Sequence, residues 1–80
     1  MDVVKFEQLS GHMAALDLEF QDLTGLPSLF NPFSVFTHFS PTWLQEQSLT
    51  MIQGLERSYG RRAREIVTEF NDLLRVTWNV

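Results

Sequence analysis

The chain has 80 residues, a formal net charge of −4 and no cysteine. That length makes one domain, 1–80, and without cysteine neither a disulfide nor a thiolate metal site can add stability. A hydrophobic content of 44% with seven phenylalanines argues against disorder, and no apolar run approaches the ~20 residues of a membrane-spanning helix.

The charge is uneven. The first forty residues carry five acids (Asp2, Glu7, Asp17, Glu19, Asp22) against the single base Lys5. Nucleic acid is not an expected partner, because phosphate contacts need Lys and Arg. The Met1-Asp2 start lacks a basic stretch followed by an apolar core, so no signal peptide is expected and the expected location is cytoplasmic. A domain this small buries only a little over ~60% of its unfolded surface. Oligomerisation is therefore an expected further source of stability.

The first element is a helix over about 3–23. Phe6, Leu9, Met13, Leu16, Phe20 and Leu23 step alternately by three and four residues, a heptad seam. Gly11 falls opposite that seam, where it costs roughly 1 kcal/mol relative to Ala. The stop signal is Gly25 in the left-handed position just past the helix, with Leu26 folding back on Phe20 and Pro27 blocking continuation. Asp2 suits the N-cap.

The connector, 26–40, holds Asn31-Pro32 and Ser40-Pro41, each a capping residue followed by proline at a first helical position. These predict a short helix at about 32–39 and a new helix starting at 41. The window from Leu23 to Gln45 carries no charged residue, and within it Phe30, Phe33, Phe36 and Phe39 recur every third position, with Trp43 one turn later. On an α-helix such a comb drifts by about 60° per step, so its rings fan out rather than stack.

The last element is read as one continuous helix over about 41–78. Ser48, Ile52, Leu55 and Tyr59 form one seam; Ala63, Ile66, Phe70, Leu73 and Thr77 form another. The step of four from Tyr59 to Ala63 is a stutter between them. Gly54 and Gly60 are weak points. A break at Gly60 would crowd Arg61, Arg62 and Arg64 at the positive end of a new helix, and no proline or strong cap supports one. A continuous helix would be roughly 57 Å long, and the first helix, at roughly 32 Å, could not cover it. The expected architecture is therefore an all-α helical hairpin with a short connector helix, completed by dimerisation.

Two features are candidate sites. The aromatic comb reads either as a hydrophobic plug between two helices, each buried Phe contributing roughly 1.5–3 kcal/mol, or as an exposed anchor for a partner. Arg57, Arg61, Arg64 and Arg75, with Arg62 nearby, run beside Glu65, Glu69 and Asp72. They read either as a solvated face with pairs such as Arg61–Glu65 and Asp72–Arg75, or as a patch for phosphate or carboxylate. His12 and His38 are isolated, with no metal-ligand spacing. No glycine-rich loop, and no nucleophile beside a base, suggests catalysis or a cofactor.

The function expected is that of a small non-enzymatic interaction module: an inhibitor, adaptor or accessory subunit. It would bind a protein partner through Phe30, Phe33, Phe36, Phe39, Trp43, Arg57, Arg61 and Arg64. It would pair with itself, or build its core, along the coiled-coil-like seams of Phe6, Leu9, Met13, Leu16, Phe20, Leu23, Ile52, Leu55, Tyr59, Ile66, Phe70 and Leu73. Small acidic helical proteins that mask a functional surface, among them phage proteins directed at host enzymes, share this size and class. The alternative is an amphipathic coat on lipid or polymer granules.

Overall fold

A computed structural model describes residues 3–31, 36–37 and 45–78, with the side chains of 45–49 and 78 outside that description. Its helices are α1 (Val3–Thr24), α2 (Gln45–Tyr59) and α3 (Arg61–Trp78), and no strand occurs among the described residues. The all-α class read from the seams is correct. The Asp2 cap, positions 41–44 and most of the connector helix expected at 32–39 lie outside the described residues. Phe36 and Thr37, inside that span, sit in a turn and a bend rather than a helix.

Helix α1 stops where the sequence marks it. Gly25 takes φ 70°, and its N–H donates to the Gln21 carbonyl at 2.8 Å. That is the bond by which a left-handed cap satisfies a carbonyl the helix leaves over. Thr24 continues the cap: its hydroxyl donates to the Phe20 carbonyl at 2.8 Å and accepts the Leu26 N–H at 3.1 Å.

The expected single helix over 41–78 does not form. The chain turns at Gly60, which takes φ 98° and donates its N–H to the Glu56 carbonyl at 2.7 Å. The same left-handed cap thus ends α1 and α2. Arginines at the start of α3 do oppose the helix dipole, at typically 0.3–1 kcal/mol each. Folding α3 onto its neighbours buries Leu55, Ala63, Ile66, Val67 and Phe70 to 3% exposure or less, and burial of a large apolar side chain contributes roughly 1.5–3 kcal/mol. Burial outweighs the dipole. The stutter between Tyr59 and Ala63 coincides with this corner.

Both α1 and α2 pack on α3 and scarcely on each other. Cross pairs His12–Glu69 and Glu19–Arg62 show that α1 runs antiparallel to α3. Because α3 has neighbours on two sides, its buried stripe is wider than a heptad seam. Ala63, Ile66 and Phe70 are joined by Val67 and Leu74, which the seam omits. Among the described residues, Met13, Leu16 and Phe20 from α1, Leu55 from α2 and Leu29 from the connector join them in the core, and Leu26, Phe36, Ile52 and Leu73 pack against it partly buried. The molecule measures 38 × 28 × 19 Å with a radius of gyration of 12.6 Å. That is the size of a compact globule of this length, about 12 Å. The uncovered length that argued for an obligate partner is therefore gone.

The connector is held by polar side chains. Among the described residues the buried polar ones are Asp17, Thr37 and Asn71, and each binds connector backbone. Asp17 Oδ1 accepts the Leu29 N–H at 2.7 Å, while its Oδ2 accepts the Ser28 hydroxyl at 2.6 Å and the Gln21 amide at 2.9 Å. Ser28 in turn accepts the Phe30 N–H at 3.1 Å on its hydroxyl and the Asn31 N–H at 3.1 Å on its carbonyl, closing a turn. Thr37 donates to the Leu29 carbonyl at 2.9 Å, and Asn71 donates to the Phe36 carbonyl at 2.8 Å. A buried irregular segment needs such partners, since an orphaned buried polar group costs about 1–3 kcal/mol.

Candidate functional site

The described part of the comb divides. Phe36 turns inward and meets Phe20 edge-on, with ring centroids 6.1 Å apart. Phe30 meets Phe70 edge-on at 5.2 Å, yet stays 45% exposed. Phe36 therefore packs against the core partly buried, while Phe30 rests on Phe70 with one side open. Phe33, Phe39, Trp43 and His38 lie outside the described residues.

The arginine face is interleaved with carboxylates. Arg64 binds Glu56 across the Gly60 corner at 2.6 Å, and Arg75 binds Asp72 at 2.7 Å, the second as expected. Glu65 pairs with Arg62 at 3.4 Å instead of Arg61. Arg57 and Arg61 are exposed and carry no ion pair among the described residues. Arg61 and Arg64 edge an open groove of about 510 Å³ whose other lining is Glu56, Glu65, Thr68, Glu69 and Asp72. With four carboxylates around two guanidinium groups, the groove repels an anion more than it attracts one.

Arg62 does something the sequence did not indicate. It grips Glu19 of α1 in a fork, Nε to Oε2 at 2.5 Å and Nη2 to Oε1 at 2.7 Å. The hydrogen bonds from Arg62, with its charge, hold the Glu19 carboxyl below the usual carboxylate range, against the opposing effect of desolvation. The same bonds raise the Arg62 guanidinium further above its ordinary value. His12 Nε2 reaches Glu69 Oε1 at 3.1 Å, a second tie between α1 and α3.

The seam of α1 is only partly used. Met13, Leu16 and Phe20 are buried and Leu9 is half-buried, but Phe6 and Leu23 at its two ends remain more than two-fifths exposed. Tyr59 at the end of α2 is likewise exposed, while Ile52 and Leu73 are half-buried. Ser48 lies outside the described side chains. The larger surprise is the opposite side of α1, where Val4 is 61% and Leu18 64% exposed. The seam reading missed this face because it sought one apolar stripe per helix. Reading Val4, Gly11 and Leu18 at seven-residue intervals would have found it.

Among the described residues no group of three His, Asp or Glu could hold a metal ion, and no helix is long and apolar enough to cross a membrane. Comparison with protein-family models, with curated proteins and with solved structures found no match.

Proposed function

We propose that this chain is a small non-enzymatic protein that acts by binding another protein, as an inhibitor, adaptor or accessory subunit. One observation carries the reading: α1 leaves Val3, Val4, Phe6, Leu18 and Leu23 exposed although the described residues already form a core of their own. Scattered single apolar residues on a surface need no explanation; these five point to different sides of α1, and it is Val4 and Leu18, together on the side away from the buried residues, that offer a face. Phe30, steadied edge-on by Phe70 and open on its other side, adds a rigid aromatic of the kind found at interface centres.

The experiment is reconstitution. Proteins captured by the immobilised chain from its own cells are identified, purified singly and titrated back by calorimetry. A saturable complex with one purified protein supports the reading, and Phe30→Ala should weaken it while far-UV circular dichroism stays unchanged. Self-association on light scattering, with no such complex, would favour a homodimer. Flotation with lipid vesicles or polymer granules would favour the coating role. A chain that remains monomeric, takes no purified partner and does not float sinks the proposal.

A further inference from the structure

We propose that the outward face of α1 is a docking surface for a partner helix whose apolar ridge is flanked by lysine or arginine. The proposal rests on the protein-binding reading above and names a surface and a partner chemistry for it.

Positions seven apart in a helix lie nearly on one line. Val4, Gly11 and Leu18 occupy such a line on the side of α1 away from its buried residues, with Ala14 and Ala15 beside it, and all five are exposed. The large ends stand about 21 Å apart with the small residues between them, so the face is a shallow saddle. Among the described residues, and apart from its chain neighbours and the surrounding helix backbone, no atom comes within 4 Å of where a Gly11 side chain would begin. Gly11 is not among the glycines with positive φ. Neither backbone geometry nor internal packing therefore calls for glycine in the middle of this helix, where glycine disfavours the helix relative to alanine. Close approach of another backbone would call for it.

Charge selects the occupant. Glu7 and Asp22 are exposed beside this line and carry no ion pair among the described residues. The one base of α1, Lys5, is seven residues from His12 and so lies on the edge that faces α3. A second copy would bring the same acids to the saddle, on a chain of net charge −4. An anionic membrane would meet a face without the Lys and Arg that interfacial helices use. A basic amphipathic helix fills the saddle with its apolar ridge and sets its cations against Glu7 and Asp22, and such complementarity steers association and fixes register.

The probes are two synthetic amphipathic helical peptides with the same leucine ridge, one flanked by lysine and one by glutamate. Each is titrated into the full-length isotope-labelled chain at low salt and followed by amide chemical shifts. The lysine peptide should bind, with the largest shifts along Val4, Gly11 and Leu18, and the glutamate peptide should not. Gly11→Leu, a change that favours the helix and fills the saddle, should weaken binding about tenfold or more, as when a central contact is lost. The double variant Glu7→Lys with Asp22→Lys should reverse the peptide preference. Shifts centred elsewhere, or binding indifferent to both variants, overturn the proposal. So does α1 pairing with a second copy, seen as dilution-dependent shifts that Gly11→Leu removes, or α1 binding anionic vesicles instead of peptide. If the lysine peptide fails while a purified partner still binds, only the α1 assignment falls; if both fail, the protein-binding reading falls with it.

Discussion

Asp17 is the residue on which the most geometry turns. Its carboxylate is buried and takes three donors, one of them the Leu29 N–H at 2.7 Å and one the Ser28 hydroxyl at 2.6 Å. Hydrogen bonds to a charged group contribute about 1.5–3 kcal/mol each, so Asp17→Asn, which sets an amide against the Gln21 amide, should lower stability by roughly 1–3 kcal/mol. Urea denaturation checks this, and an unchanged midpoint would mean the carboxylate does not hold the connector. The sequence showed Asp17 only as an acid off the seam. Its burial depends on Ser28 and Leu29 returning to it across eleven and twelve residues, and no periodicity encodes that return. The glycines are more legible. Gly25 and Gly60 both have positive φ, where a side chain costs roughly 1–2 kcal/mol, so Gly25→Ala and Gly60→Ala should destabilise by that order. Gly11→Ala, at an ordinary helical position in open space, should stabilise by about 0.5–1 kcal/mol. Thermal melts of the three variants separate the two kinds of glycine.

At the level of elements, α1 and α3 are tied at two points along their length, Glu19–Arg62 and His12–Glu69. Because Arg62 lowers the Glu19 carboxyl from its ordinary value, the stabilisation this pair lends is fully present above the pKa of an unfolded glutamate. It is lost as pH falls through the lower, folded value. Glu19→Gln should therefore flatten part of the acid limb of the stability curve, with the effect shrinking in salt because the pair is exposed. An acid limb identical to that of the parent would show that the fork adds nothing in solution. That 3–24 and the stretch from 45 to 78 are helical was legible from periodicity, and the end of α1 from Gly25, because those signals are local. The Gly60 corner was present as a stutter and a glycine, but weighing it required the neighbours of α3. Dipole repulsion among arginines is visible in sequence; burial against two other helices is not. Arg62 in particular finds its acid 43 residues away.

As a whole molecule, the chain is compact because that corner lets α2 and α3 cover one another. Small-angle scattering should give a radius of gyration close to the Cα value of 12.6 Å, raised slightly by hydration, for a monomer. A continuous helix of roughly 57 Å would give a clearly larger value and a rod-like distance distribution, and would restore the case for dimerisation. Gly60→Ala is the informative variant here too. By penalising the corner it should favour the straightened form, whose bare seam a second copy can close, so dimers should appear at high concentration on light scattering. The self-contained core was not legible, since Leu29, Val67 and Leu74, all in it, fall outside the heptad positions.

The polar ties that hold the connector also differ in how far apart along the chain their partners lie. Asp17 and Leu29 are twelve residues apart, whereas Asn71 and Phe36 are 35 apart. Closing the longer loop costs about 1 kcal/mol more in chain entropy, so α1 and the turn after it are expected to organise before α3 arrives. Asp17→Asn should then slow refolding, while Asn71→Ala should mainly hasten unfolding. A chain being synthesised would on this basis already carry a structured first segment, its Leu29 seated against Asp17, while the residues of α3 are still to be made.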